Sequence, residues 1–211
     1  MKTVLHVGCG PQNITSMPVY FQDGGWEEIR FDIDPSVDPD ILGMIQDLSL
    51  IEDGYVDVVY SSHNIEHVSS FEVPGVLAGF RRVINDHGFL VISCPDMFSV
   101  AQAILSEDLD KPLYQSPAGP IAALDIIYGH QSAIENGKVY MAHKTAFTAG
   151  TLAKHLLVSG FQCVDVVRDQ IFGLHAIAFA TDKSADSDAI AAAVLPAQEH
   201  QLQVLKFQAS A

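Results

Sequence analysis

The chain has 211 residues, of which 48% are hydrophobic, so it is long enough for one α/β domain with a sizeable core and too apolar to be disordered. Its formal net charge of −15 disfavours nucleic acid and anionic membranes as partners, because both would be repelled. We expect no signal segment and no membrane span, and the three cysteines lack a C-x-x-C spacing. These features predict a cytoplasmic protein with reduced thiols.

In chain order, apolar runs alternate with turn-forming residues in the pattern of an open α/β sheet. The first strand is predicted over residues 3–7, and the segment 11–25 is predicted to be a loop or at most one helical turn, because its apolar residues lack a helical period. Further strands are predicted over residues 28–33, 42–45, 56–61, 89–93, 161–167 and 175–180. Helices are predicted over residues 72–84 and 97–105, and from a cap at Thr148 to Ser159.

The composition divides the chain into one domain and a short tail. Residues 1–182 carry the alternating pattern and are predicted to form the domain. Within it, residues 106–146 are irregular and are predicted to be an insert that covers a substrate. Residues 183–211 are rich in Ala, Ser, Asp and Gln and are predicted to be a linker with a weak terminal helix. This segment is the predicted place of a homodimer contact.

Two glycines follow the first predicted strand, and an acid ends the second. Gly8 and Gly10 let the backbone approach a ligand that a Cβ would exclude, and Asp32 can accept hydrogen bonds from both hydroxyls of a ribose. A third glycine is absent and Pro11 removes a backbone N–H, so a pyrophosphate would be poorly held. The pattern therefore favours an adenosine cofactor without phosphates, such as S-adenosylmethionine, over nicotinamide or flavin dinucleotides.

The order of elements and five short motifs resemble the class I S-adenosylmethionine-dependent methyltransferases, and among them the type 11-like members. The motifs lie at residues 4–10, 31–34, 46–48, 56–67 and 81–88. The resemblance implies a Rossmann-like, doubly wound, mostly parallel seven-stranded sheet with an antiparallel C-terminal strand. It also implies that the cofactor is bound by His6, Gly8, Cys9, Gly10, Asp32, Ile33, Asp47, Leu48 and His63.

Two features depart from the family pattern. His6 occupies the position where most members carry Glu or Asp, and a neutral imidazole can form a hydrogen bond there but supplies no negative charge. The segment 11–25 also lacks the first helix that the family usually has.

The run from His63 to His67 has three readings, the plainest of which is that His63 only caps a helix. In the family reading, His63 lies at the mouth of the cofactor or acceptor site, while Glu66 and His67 orient the loop. The rival reading takes H-x-x-E-H as a zinc hydrolase signature, which requires His63 and His67 on one helix face. We assign no metal ligands, and we take His63 and His143 as the residues to test for catalysis.

The function expected from the sequence is methyl transfer from S-adenosylmethionine to a small molecule, such as a sugar-linked or other polar acceptor. The identity of the acceptor cannot be read from the residues. A methyltransferase-like binding module that has lost activity is the alternative that His6 suggests, and zinc hydrolysis is the third.

Overall fold

The computed structural model describes residues 1–106, 108–182, 184–196 and 201–209. Eight strands in these residues form the main sheet, and their order across it is β3-β2-β1-β4-β5-β9-β8-β10. Their bounds are β1 Lys2–Val7, β2 Trp26–Asp32, β3 Ile41–Leu42, β4 Val56–Ser62, β5 Ile84–Pro95, β8 Cys163–Asp169, β9 Gly173–Phe179 and β10 Gln201–Gln208. Strands β6 Pro112–Ser116 and β7 Gly119–Ala122 form a separate hairpin.

The predicted mostly parallel α/β sheet is confirmed. Strands β3, β2, β1, β4 and β5 pair in parallel, whereas β9 is antiparallel to both β5 and β8. The sheet has one strand more than the seven expected, because β10 pairs antiparallel with β8. The predicted tail thus contributes helix α6 (Ala185–Val194) and an edge strand, while its residues 183, 197–200 and 210–211 lie outside the described residues.

Helices cover both faces of the sheet. Helices α1 (Val73–Val83) and α5 (Ala149–Val158) pack on one face, where Leu77, Phe80 and Leu156 are fully buried. The opposite face is covered by α6 and by two single 3₁₀ turns, Ile14–Ser16 and Val19–Phe21, in the segment predicted to form a loop or at most one helical turn. The predicted cap of α5 is present, since Thr148 Oγ1 accepts from the Thr151 amide at 3.4 Å.

Residues 85–88, which we expected to end the first helix and precede the next strand, belong to β5. The strand pairing shifts register between Val56 and Val58, and Asn85 Nδ2 donates to Asp57 Oδ1 at 3.0 Å. This shift in register allows β5 to continue through the Asn-Asp-His-Gly sequence without a break.

The predicted insert contains the β6–β7 hairpin and helices α3 (Ala123–Tyr128) and α4 (Gln131–Glu135), followed by a 3₁₀ turn at Val139–Met141. With α2 (Met97–Ala103) it encloses a small core of its own, formed by Val100, Ile121, Ala123 and Ile126. No helix among the described residues is long and apolar enough to cross a bilayer.

Candidate functional site

The loop after β1 has the conformation that its glycines predict. Gly8 and Gly10 have φ angles of 62° and 53°, in the region that favours glycine. A Cβ on Gly8 would overlap the side chain of Asn64, which itself donates to the Val7 carbonyl at 2.9 Å. A Cβ on Gly10 would meet no atom within 4 Å, so the chain at Gly10 borders open space. The loop is therefore packed against Asn64 on one side and free to approach a ligand on the other.

Cys9 lies between these glycines with its side chain buried. Burial raises the pKa of the Cys9 thiol to about 11, so the thiol is protonated near neutral pH. All three cysteines are buried. Cys9 therefore fills space beside the loop and supplies no nucleophile.

Asp32 ends β2 beside the glycine loop. The residue is 7% exposed, and its two carboxylate oxygens accept from the Gly10 amide at 2.7 Å and the Asp34 amide at 2.8 Å. A carboxylate offers about four lone-pair directions, so two amide donors leave room for two further hydrogen bonds. The residues fit an adenosine cofactor, because an oriented carboxylate stands next to the open side of Gly10.

The next two residues have different surroundings. Asp34 caps the 3₁₀ turn Pro35–Val37, since its Oδ1 accepts from the Ser36 amide at 2.9 Å. Its Oδ2 accepts from the Tyr140 hydroxyl at 3.0 Å, which joins the insert to the end of β2. Ile33 is exposed, as an apolar residue that packs on a ligand would be. Asp32 is thus the acid available to a ribose, and Asp34 is committed to the turn and the insert.

His6 does not act alone. Its Nδ1 lies 2.7 Å from Oε1 of Glu28, and Glu28 Oε2 accepts from the Ile14 amide at 2.8 Å. Burial lowers the pKa of His6 and outweighs the hydrogen bond and charge of Glu28, so a neutral ring donates to the carboxylate. The carboxylate that we expected to be missing from this region is present on β2. Glu28 could have been recognised from the alternation of polar residues along β2, which places Glu28, Arg30 and Asp32 on one face of the sheet.

Arg30 was missed by the sequence analysis and joins the two loops of the site. Its guanidinium donates to the carbonyls of Gly10 at 2.7 Å, Gln12 at 3.1 Å, Val37 at 2.9 Å and Asp38 at 2.6 Å. The planar, multidentate guanidinium suits this role. It fixes the glycine loop relative to the turn after β2, in place of the helix that the segment 11–25 lacks.

The residues expected to contact the adenine lie in the loop that follows β3. Asp47 is exposed and its Oδ1 accepts from the Ser49 amide at 2.9 Å, whereas the Leu48 side chain is buried. The part of the chain that the structure describes offers the Leu48 amide no acceptor. Its donor therefore remains available to a ligand.

His63 follows β4 in a strained backbone conformation, with a φ of 54° that is uncommon outside glycine. Its side chain is 55% exposed. Burial lowers the pKa of His63, but the adjacent carboxylate of Glu66 and the charge of Asp169 outweigh it and raise the pKa above its ordinary value. Residues of this kind, strained and electrostatically perturbed, concentrate at functional sites.

The H-x-x-E-H run does not form the helix that the zinc hydrolase reading requires. His63 has left-handed φ, and only Ile65–His67 forms a single 3₁₀ turn. The structure instead brings Glu66 and His67 together with His143 from the far end of the insert. The His67 and His143 rings meet edge to face with centroids 4.9 Å apart. Burial lowers the pKa of His143.

The predicted site residues thus fall into three places at one edge of the sheet. The first group surrounds the glycine loop, the second is the Asp47–Leu48 segment, and the third joins His63 to His143. Asn64 links the first group to the third, because it packs on Gly8 and is followed two residues later by Glu66.

Comparison with known proteins agrees with this geometry. Residues 5–92 match the family model described as a methyltransferase domain. No curated protein matches the sequence. Among solved structures, a SAM-dependent methyltransferase from Archaeoglobus fulgidus is 16% identical with a TM-score of 0.55, over 84% of this chain and 86% of that one.

Two further structures are similar at the level of the fold. The PH0226 protein from Pyrococcus horikoshii is 13% identical with a TM-score of 0.57, over 85% of this chain and 82% of that one. The 1,6-didemethyltoxoflavin-N1-methyltransferase of Burkholderia thailandensis, solved with 1,6-didemethyltoxoflavin and S-adenosylhomocysteine, is 17% identical with a TM-score of 0.51, over 85% of this chain and 71% of that one.

The matched methyltransferase domain includes the glycine loop and its facing acid, Asp32. The fold of the chain is that of the S-adenosylmethionine-dependent methyltransferases that it resembles, as its motifs predict.

Proposed function

We propose that this chain transfers a methyl group from S-adenosylmethionine to a small molecule, and that the cofactor lies across the glycine loop with its ribose on Asp32. The observation that carries the proposal is the Asp32 carboxylate, buried and oriented by the Gly10 and Asp34 amides beside the open side of Gly10. S-adenosylmethionine supplies a methyl group on a sulfonium centre, which is already activated for transfer.

The residues of the chain bind the cofactor and align it with the acceptor. Gly8 and Gly10 allow close approach of the backbone, Ile33 offers an apolar surface to the adenine, and Asp47 and the Leu48 amide lie where its polar edge would be read. Arg30 and the His6–Glu28 pair hold the loop in place. Alignment is the main task, since orientation can supply up to ~7–11 kcal/mol of a barrier.

The acceptor is expected between His63 and the insert, which we propose covers it. Tyr140 of the insert bonds to Asp34, and His143 of the insert contacts His67, so the insert reaches both the end of β2 and the turn that follows His63. A small-molecule acceptor is supported by the Burkholderia enzyme, which shares the fold and was solved with one. A sugar-linked acceptor remains part of the proposal.

The placement of the cofactor is tested with Asp32→Ala. Hydrogen bonds to a charged group contribute about 1.5–3 kcal/mol, so the dissociation constant for S-adenosylhomocysteine should rise at least tenfold by calorimetry. Asp86→Ala is the matched control, since its side chain is 96% exposed at the opposite end of β5. An unchanged constant in the Asp32 variant would refute the placement.

The catalytic role proposed for His63 and His143 is tested separately. Each is replaced by Ala, and turnover is compared in a screen of small-molecule acceptors while S-adenosylhomocysteine binding is checked by calorimetry. Turnover that persists undiminished with normal binding removes that residue from the catalytic set. The alternative of an inactive binding module loses its sequence argument, because Glu28 supplies the charge that His6 lacks.

A further inference from the structure

Glu66 is an unusual residue in the described structure. Its side chain is 2% exposed, and neither carboxylate oxygen has a hydrogen-bond partner among the described residues. Nδ1 of His63 lies 3.3 Å from Oε1, within ion-pair distance but without hydrogen-bond geometry. A buried carboxylate costs several kcal/mol unless it is both paired and hydrogen-bonded, so one without hydrogen bonds points to a bound ion or water.

Two imidazoles face this carboxylate. One ligand atom from each of Glu66, His67 and His143 lies within 4.8 Å of the other two. Donor atoms bind a zinc-like cation at about 2.0–2.2 Å, so small side-chain adjustments would bring all three onto one ion.

Both imidazoles are oriented by backbone carbonyls. Nδ1 of His67 lies 3.2 Å from the Ala142 carbonyl, and Nδ1 of His143 lies 2.8 Å from the Ile126 carbonyl. Since a carbonyl can only accept, each Nδ1 carries the proton, and each Nε2 keeps a free lone pair. Metal-binding histidines usually have this arrangement, with the second ring nitrogen donating to a carbonyl or carboxylate.

Backbone hydrogen bonds connect the segments that carry the ligands, although 76 residues separate Glu66 from His143 in the sequence. The Glu66 carbonyl accepts from the amides of Lys144 at 2.8 Å and Thr145 at 3.2 Å, directly after His143. The segment that carries His143 is therefore fixed against the turn that carries Glu66 and His67. A site assembled in this way is organised before any ion enters.

We propose that Glu66, His67 and His143 form a binding site for a divalent first-row transition metal, of which Zn²⁺ is the representative. Two imidazoles and one carboxylate suit zinc, iron, cobalt or manganese, whereas magnesium and calcium prefer sites made of oxygen ligands. Three protein ligands leave at least one coordination position open, as in catalytic zinc sites.

The open position gives the site a role in the reaction, a step that rests on the proposed function. The turn of Glu66 also carries Asn64, which packs on the glycine loop, so the metal would lie beside the cofactor. A cation there would orient a hydroxyl group of the acceptor and lower its pKa, with the proton released to solvent. The acceptor class that follows is a hydroxyl-bearing small molecule.

The site is tested on the full chain, stripped with a chelator, loaded with excess Zn²⁺ or Co²⁺ and passed through gel filtration. We expect close to one metal per chain by elemental analysis. Glu66→Gln and His143→Ala should lose it, whereas Glu52→Gln and His87→Ala, which alter exposed residues, should keep it. Circular dichroism checks the fold, and Zn²⁺ should raise the melting temperature of the wild type but not of Glu66→Gln.

Each outcome decides one part of the inference. A wild-type chain that retains no metal, or variants that retain it fully, would overturn the site. In the Co²⁺ protein, the oxygen donor catechol should change the visible absorption, and an unchanged spectrum would overturn the open position. S-adenosylhomocysteine binding is measured in parallel: metal binding without it would refute the cofactor placement alone, and the reverse result would refute the metal site alone.

Discussion

At the scale of single residues, the pair His6 and Glu28 shows how one carboxylate can move between strands. The family position on β1 holds an imidazole, and the carboxylate comes from β2, 2.7 Å away. In the register of these strands His6 lies opposite Arg30, so Glu28 is the diagonal neighbour on the same face. The negative charge near the glycine loop is therefore kept although the sequence motif departs from the family.

This arrangement predicts the effect of restoring the family residue. His6→Glu should lower the free energy of unfolding by about 1–3 kcal/mol, because two buried carboxylates would then meet at contact distance. Adding Glu28→Gln should recover most of that loss. Urea denaturation of the two single variants and the double variant measures the coupling, and additive effects would show that the two residues do not interact as described.

Residue types that act locally could be predicted from the sequence, whereas those that act through distant partners could not. The glycines and Asp32 stand out because turn geometry and strand ends leave a local pattern. Arg30 could not be assigned, because its four partners are backbone carbonyls spread over two loops. The meeting of His143 with Glu66 depends on how the insert folds back, which no spacing reveals.

At the scale of elements, the turn between β8 and β9 is organised by Asp169. Its Oδ1 accepts from the amides of Ile171 at 2.8 Å and Gly173 at 2.7 Å, and its Oδ2 lies 2.7 Å from Nε2 of His175. These contacts support Phe172 at a φ of 68°, a strained value for a bulky residue. Phe172 in turn stacks on Tyr114, so the turn positions the hairpin of the insert.

The same carboxylate predicts an acid-sensitive contribution to stability. Burial raises the pKa of Asp169, but His175 and the two amides outweigh it and hold the pKa below its ordinary value. A depressed pKa means that the folded state binds the proton less tightly, so this stability is present above about pH 4 and is lost as the pH falls below it.

Asp169→Asn should therefore lower the free energy of unfolding by about 1–3 kcal/mol at pH 7 and have a smaller effect at pH 3. Denaturant titrations at the two pH values measure the difference. Asp86→Asn, on an exposed side chain, should have little effect at either pH. An equal loss for Asp169→Asn at both pH values would show that its charge is not the stabilising feature.

Elements with a clear period or cap were predicted well, and the exceptions have physical reasons. Helix α5 follows its Thr148 cap, and the short 3₁₀ turns in the segment 11–25 agree with its lack of helical period. Strand β10 was missed because its alternating residues follow an alanine-rich stretch. Its Leu205 and Phe207 pack on the core from an edge position.

At the scale of the whole molecule, β10 protects one edge of the sheet. It pairs along the full length of β8, a strand whose residues are almost all buried, and its Lys206 lies 3.2 Å from Asp188 of α6. An uncovered edge with this composition would pair with other chains. The predicted homodimer contact in this segment remains a prediction.

Removal of residues 197–211 should therefore lower the melting temperature and cause self-association. Light scattering after gel filtration measures the oligomeric state, and removal of residues 210–211 alone is the control, since β10 ends at Gln208. A shortened chain that keeps the mass distribution and melting temperature of the full chain would show that the edge needs no cover.

Chemical modification of Cys9 can measure how often the glycine loop opens. Its thiol is shielded and protonated, so a thiol reagent can modify it only during excursions in which the loop leaves Asn64 and the end of β2. The rate of Cys9 modification then gives the frequency of these openings. A ligand that bridges the loop and Asp32 would suppress these openings. The rate of Cys9 modification in the native chain would therefore measure the occupancy of the cofactor site.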